Sequence, residues 1–557
     1  MSGLDWLVLL GTVALIVAFG VWKTRGAQSA ANYLRGGNDA KWWTIGLSIM
    51  ATQASAITFL STPGQGFEDG LGFVQFYFGV PIAMVILSAT IVPIYYRAKV
   101  TTAYEYLEQR FDLKTRQLTA IIFLLQRGLG AGLSIYAPAI ILSTVLGWSL
   151  VWTNLIIGLL VITYTVSGGT RAVNQTQQLQ MTVMLGGMLL AFAYVLFTLP
   201  NEMSVRDAFG VAGALGKLNA VDFTPRLDTR YTFWSGITGG TFVALAYFGT
   251  DQSQVQRYLS GESLRQTRLG LLMNGLLKVP MQLVILLVGV LVFVFFQFNP
   301  SPAFWNAPEL EAARRSPQAA RLATLEARHA ELSDQKRVLL ETWLVERDDG
   351  TVSQLRALEQ ADRAVRDDVR ALVKEHNPRA NVKDADYVFL TFVMTRFPRG
   401  LVGLLLAVIL CAAMSATASA LNALGTTTVV DFYRRSWRPG ATEAEGVRAG
   451  KYFTVFWGGL AMLFAMFAGQ VDNLIQAGNI LGSIFYGPML GVFLVGFFFR
   501  ATRGTPVFVA TLLAQALVVA TWLGSDIGYL WYNVIGCVAV AAFALLFQRL
   551  SRAPAAR

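Results

Sequence analysis

Eight residues, Ala412-Ala-Met-Ser415-Ala-Thr417-Ala-Ser419, place three hydroxyls inside an otherwise apolar run. On a helix Ser415 and Ser419 share a face while Thr417 points elsewhere. Hydroxyls and main-chain carbonyls are the ligands a hard monovalent cation such as sodium takes once its water is removed. The alternative is close helix packing by small residues, with each hydroxyl bonding back to the i−4 carbonyl. A second polar cluster reads Ala51-Thr-Gln53-Ala54-Ser55-Ala-Ile-Thr58, and Gln75 and Tyr77 follow it. Gly236, Gly239 and Gly240 precede Tyr247. Helices interrupted by small residues can unwind and offer carbonyls to an ion where they line a protein cavity. Arg127 and Lys278 are the two clear charges within apolar runs, and no acidic residue is expected at their depth. Unpaired intramembrane cations point to an anionic ligand such as a carboxylate, unless the two side chains snorkel to an interface.

These groups need apolar elements to hold them. The 557-residue chain is 54% hydrophobic and 14% charged, against roughly 25% charged in soluble domains. Thirteen apolar runs recur, near 5–22, 43–62, 73–98, 117–147, 150–167, 178–199, 233–250, 268–297, 396–420, 452–469, 474–499, 505–523 and 530–549. Each is long enough to cross a hydrocarbon core. The expected fold is therefore an all-α polytopic membrane protein in the lipid bilayer of the plasma membrane. The first run is not expected to be a cleaved signal, because Asp5 precedes it and Lys23 and Arg25 follow it. Basic residues such as Arg97, Lys99, Arg110, Arg257, Arg268, Arg434 and Arg448 concentrate in alternate loops, whereas 63–72, 470–473 and 524–529 hold none. The positive-inside rule puts the N-terminus outside and the C-terminus in the cytoplasm. The net charge of +11 reports that asymmetry and calls for no nucleic acid.

The expected organisation is an N-terminal helix and loop (1–41), a first repeat (42–199), an external loop (200–232) and the start of a second repeat (233–304). A charged helical insertion (305–385), the rest of the second repeat (386–500) and two C-terminal runs with a short tail (501–557) complete it. Within the insertion Leu355, Leu358, Val365, Val369 and Leu372 recur at helical spacing. That predicts an external helical hairpin or short coiled coil, either solvated or docking a partner. Cys411 and Cys537 fall in apolar runs, so neither a disulfide framework nor a metal site beyond sodium is expected. His329 and His376 lie outside the apolar runs, which excludes an intramembrane histidine relay.

Four motifs in order resemble the sodium:solute symporter family across almost the whole chain. Thr250-Asp251-Gln252-Ser-Gln-Val255-Gln256-Arg257 is similar to its TDQ-x-x-VQR stretch. Gly168-Gly169-Thr-Arg171-Ala172-Val173 is similar to its GG-x-(K/R)-AV loop. Ala412 to Ser419, leaving through Asp431-Phe-Tyr433-Arg434-Arg435, resembles its sodium-site helix. Tyr136-Ala137-Pro138-Ala139 resembles a YAPA motif in the branch carrying iodide, monocarboxylates and vitamins.

The resemblance implies two inverted five-helix repeats of leucine-transporter type and sodium-coupled uptake of a small molecule by alternating access. It implies sodium ligands in the carbonyls of Ala51, Ala54 and Ala412 and the hydroxyl of Ser415, with Thr417 and Ser419 as support. The family usually has a second hydroxyl where this chain has Ala416. It commonly has Thr-Asp where this chain has Thr176-Gln177, so one sodium per cycle is expected. It further implies a substrate site from Gln53, Thr58, Gln75, Tyr77, Arg127, Lys278 and Asn479, with Tyr247 as gate. Sugar-transporting members place a glutamate at Tyr77, a glutamine at Asn479 and a lysine at Lys278, so keeping Lys278 without the glutamate argues against a hexose, and the YAPA motif and Arg127 favour an organic anion over a sugar or polyol. Proton coupling is the further alternative, disfavoured because Gln177 replaces the expected acid. A channel would show repeated filter segments. A fused sensor domain is not expected after the last run. No nucleophile–base pair supports an enzyme.

Overall fold

The computed structural model describes residues 1–24, 33–34, 36–200, 203–378, 380, 382, 384–467 and 474–551, and is all-α. The first helix, α1 (Gly3–Thr24), precedes a broken pair, α2 (Trp42–Gln53) and α3 (Ala56–Asp69). A 3₁₀ segment (Gly70–Tyr77) leads to α4 (Gly79–Ala89), α5 (Ile91–Ala98) and α6 (Ala103–Arg110). Then come α7 (Leu113–Leu146), α8 (Leu150–Phe197) and the short α9 (Val205–Ala214). A π-wound turn (Ser235–Gly239) opens α10 (Gly240–Thr250), followed by α11 (Gln252–Leu259) and α12 (Leu264–Phe298). The insertion forms α13 (Ala307–Arg314), α14 (Ala319–Glu346) and α15 (Asp349–His376). The chain finishes with α16 (Ala385–Arg396), α17 (Leu401–Thr427), α18 (Glu443–Phe467), α19 (Leu474–Phe498), α20 (Gly504–Gly524) and α21 (Leu530–Leu550).

Ten stretches among the described residues are long and apolar enough to span a membrane. The expected count of thirteen is not confirmed, because helix breaks and mergers divide the apolar runs differently. Helix α8 carries two of the expected runs. Its 48 residues would extend about 72 Å if straight, roughly twice a bilayer. It turns instead at Gly169, whose φ of 58° and ψ of −154° suit a residue without Cβ. Among the described residues the most buried apolar windows are those of α17, at 83%, and of α12 and α19, at 72%, which form the centre of the bundle; α18 and α20, at 28%, present their apolar sides outward. All-round burial explains why α17 can be lined with alanine, serine and threonine: its neighbours α7 and α8 pack against a thin helix.

The expected unwinding at Gly236, Gly239 and Gly240 is not what the backbone does. A Cβ at Gly236 would sit 2.2 Å from the Gln75 carbonyl oxygen, so this glycine serves close packing. The break of that element falls later, at Asp251 (φ −79°, ψ 118°), which ends α10 and caps α11 by accepting from the Ser253 amide.

The insertion is a helical hairpin, as its periodicity predicts. Leu355, Val369 and Leu372 are buried, and Leu358 and Val365 are half-buried. Its base has its own small core of Phe304, Leu310, Leu322, Val369, Leu372 and Val373.

Candidate functional site

The residues expected to hold sodium gather at the break between α2 and α3. Ala54 (φ −80°, ψ 87°) and Ser55 (φ −82°, ψ 172°) leave the helix, so carbonyls of the last turn of α2 lose their usual partners. The Met50 carbonyl still accepts from the Ala54 amide at 2.8 Å, but the Ser55 amide turns to Gln53 at 3.1 Å. The Ala51 carbonyl is met instead by Ser415 of α17, whose hydroxyl donates to it at 2.8 Å. Ala51, Ala54, Ala412 and Ser415 are all fully buried. An α2 carbonyl and an α17 hydroxyl therefore converge, with an acceptor-rich surround suited to a hard cation.

Gln177 of α8 reaches the same place. Its amide nitrogen lies 3.0 Å from Ser415 Oγ, 2.7 Å from Ser419 Oγ, 3.0 Å from Thr52 Oγ1 and 3.3 Å from the Ser415 carbonyl. Its oxygen accepts from Ser48 at 2.5 Å. Four oxygens around one nitrogen exceed what two N–H bonds can serve, an oxygen cage like that of a cation. Ser419 thus joins the cluster. Thr417 does not: its buried hydroxyl has no hydrogen-bond partner among the described residues. Ala416 lines the neighbouring cavity.

That cavity, about 180 Å³, is lined by Gln53, Thr58, Tyr77, Arg127, Tyr247 and Asn479, together with Gln126 and Tyr486. Six of the expected substrate and gate residues are brought together. Two are not. Gln75 is spent on structure: its amide donates to the Gly72 and Tyr231 carbonyls, both at 3.1 Å, and its oxygen accepts from the Asp222 amide at 2.9 Å. It fastens the 200–232 loop. Lys278 lies behind the cavity wall, its ammonium 5.4 Å from the centre of the Tyr77 ring.

Arg127 does line the cavity, but the expectation that no acid lies at its depth is overturned. Its Nη2 is ion-paired and hydrogen-bonded to Asp251, and the Tyr486 hydroxyl lies 2.8 Å from that same nitrogen and 2.9 Å from Asp251. The reason is the early end of α10, which turns Asp251 inward against α7 instead of leaving it at the surface. One side of the guanidinium is thereby anchored. Its Nε stays buried with no hydrogen-bond partner among the described residues, as do the side-chain oxygens of Gln53 and Gln126. The Tyr247 ring covers the guanidinium at 5.3 Å. The arrangement holds an arginine rigidly with donor capacity to spare, beside amide oxygens that can accept from hydroxyls.

Reading the sequence missed four contributors. Asp251 sits in a quoted motif, but its role depends on where α10 ends. Thr52 lies in the last turn of α2 and Ser48 one turn before it, a spacing on one helical face that the sequence could have supplied. Tyr486 is 359 positions from Arg127 and carries no sequence signal.

The family model described as the sodium:solute symporter family matches residues 33–314 and 371–512. The chain is 25% identical over 550 residues, 96% of its length and 93% of the relative's, to the sodium/sialic acid symporter SiaT of Proteus mirabilis (strain HI4320). It is 32% identical to the sodium/iodide cotransporter of Homo sapiens, over 52% of this chain and 45% of that protein. It is 33% identical to the sodium-coupled monocarboxylate transporter 1 of Homo sapiens, over 48% and 44%. A solved substrate-bound outward-open state of a Na+-coupled sialic acid symporter superposes with a TM-score of 0.76 and 23% identity, covering 99% of this chain and 98% of that one.

Proposed function

The chain belongs to the sodium:solute symporter family, making it a membrane-embedded sodium-coupled carrier of the inverted-repeat fold and not an enzyme, and we propose that its solute is a small organic anion imported with one sodium ion. The observation that carries the anion is Arg127, which lines the cavity with its side chain 15% exposed and its Nη2 anchored to Asp251 and Tyr486. A carboxylate is the natural partner of a guanidinium whose remaining edge faces a cavity. The relatives named for sialic acid, iodide and monocarboxylates are all carriers of anions, which supports the same class. A cavity of about 180 Å³ lies below the roughly 300–1,000 Å³ of drug-sized sites, favouring a solute of few carbons.

Sodium is held by the carbonyls of Ala51, Ala54 and Ala412 and the hydroxyl of Ser415 in this reading, bridging α2 and α17. One ion per cycle is supported by Gln177, whose amide nitrogen occupies the hydroxyl cage beside Ser415 and Ser419 without carrying charge. The protein is placed in the plasma membrane with its N-terminus outside, on the distribution of basic residues.

The test is uptake into proteoliposomes. It should require sodium and be inhibited by short carboxylates more strongly than by the matching alcohols or by sugars. Sodium-independent uptake would remove the ion site, and competition by neutral polyols alone would replace the anion with the polyol reading that the amide-lined wall also accommodates.

A further inference from the structure

Helix α3 begins at the break beside the ion ligands, lines the solute cavity with Ile57 and Thr58, and ends at Phe67–Asp69. Its last carbonyls have no partner within the helix and form the negative end of its dipole. Basic side chains from outside the helix take them. Lys217 donates to the Phe67 carbonyl at 2.7 Å and to the Glu68 carbonyl at 2.6 Å. Arg363 donates to the Glu68 carbonyl at 3.3 Å, and Arg370 to the Glu68 carboxylate at 2.7 Å. Arg363 and Arg370 belong to α15, in the insertion.

The family model leaves residues 315–370 uncovered, so most of this hairpin is an addition to the shared carrier. It is anchored at both ends. At its tip Arg347 pairs with Asp207 of α9, Arg356 donates to the Ala214 carbonyl at 2.8 Å, and Leu340, Trp343 and Leu355 pack into the main core. At its base Arg370 also holds Asp384 at 2.7 Å, and Asp384 accepts from the Trp305 amide at 2.6 Å. A cavity of about 210 Å³ lined by both signs of charge, Glu68, Lys217, Glu359 and Arg370 among them, separates hairpin from bundle.

We propose that the hairpin is a brace on the carrier, and that Arg370 is a positioning residue which, through Glu68, holds the outer half of the broken helix in the arrangement seen. This rests on the sodium-coupled reading of the family. In that arrangement the Ser415 hydroxyl lies 2.8 Å from the Ala51 carbonyl, so two of the proposed sodium ligands are already together, and the brace favours the arrangement that keeps them so. A contact made in one of two arrangements shifts their populations by its differential strength. Releasing the brace therefore weakens apparent sodium binding without touching a sodium ligand.

The experiment compares Glu68→Gln, Arg370→Gln, their double variant and Arg370→Lys in proteoliposomes. Glu68→Gln keeps the hairpin's own Arg370–Asp384 pair, so it tests the brace where loss of the arginine could unfold the hairpin. Each single variant should raise the sodium half-saturation about two- to fivefold, the range of a partly exposed ion pair, with the rate at saturating sodium within about twofold. The double variant should be no worse than either single, and Arg370→Lys should recover part of the shift. Additive effects, or an unmoved half-saturation, overturn the brace. A second readout does not need coupling: the rate at which a thiol reagent labels Thr58→Cys, with Cys411 and Cys537 both buried, should change when Glu68→Gln is added. No change there overturns the brace, whereas sodium-independent uptake with changed labelling overturns the coupling reading alone.

Discussion

Ser415 donates to the Ala51 carbonyl and receives from Gln177, so Ser415→Ala removes a hydroxyl that joins two helices. Losing one such ligand, worth about 1–2 kcal/mol, should raise the sodium half-saturation roughly five- to thirtyfold, read by uptake against external sodium. Ala416 faces the cavity on the next position. Ala416→Ser should restore the hydroxyl pair that the family usually carries and lower the half-saturation; an increase would place that position outside the ion's reach. Gln177→Asp replaces a donor by a carboxylate within the same oxygen cage, and the Hill coefficient for sodium should move from one toward two. A wild-type value above one would refute the single-ion stoichiometry. At this scale Ser415 was legible because hydroxyls at helical spacing in an apolar run have few explanations. The Arg127–Asp251 pair was not, since it joins residues 124 positions apart and depends on a helix ending one residue before the acid.

Elements were legible where periodicity is strong and ambiguous where helices break or merge. The hairpin of α14 and α15 follows from its apolar spacing, yet the polar cluster inside it does not. His329 Nδ1 lies 2.5 Å from Asp362, and Lys336 holds Asp362 at 2.9 Å and Glu359 at 3.0 Å, all buried or nearly so. Burial pushes the Asp362 carboxyl up, but the hydrogen bond from His329 and the charges of Lys336 and Arg366 outweigh it and hold the group well below the usual carboxylate range. A carboxyl lowered in the fold binds its proton more readily when unfolded, so its stabilisation is complete above about pH 4 and lost as pH falls below that. Asp362→Asn leaves Lys336 and His329 without their shared anion and should cost the hairpin roughly 3 kcal/mol, the scale of a broken buried pair. Hydrogen exchange over 319–376, corrected for its intrinsic pH dependence, should quicken in the variant and in acid. Unchanged protection would mean that apolar packing alone holds the hairpin.

For the whole molecule the question is what one sodium can drive. A tenfold sodium gradient releases about 1.4 kcal/mol, and a membrane potential of 100 mV adds about 2.3 kcal/mol per charge moved. A neutral solute carried with one sodium would draw on both and reach roughly 500-fold accumulation. A monovalent anion carried with one sodium moves no net charge, so only the chemical gradient acts and accumulation stops near about tenfold. The two readings of the cavity, anion at Arg127 or polyol at its amides, therefore differ in a quantity that needs no structure to measure. Proteoliposomes at a fixed tenfold sodium gradient, with the potential set by a potassium diffusion gradient, should show uptake that does not depend on voltage. Acceleration by an inside-negative potential would require either a neutral solute or a second sodium, and the sodium Hill coefficient separates those two outcomes.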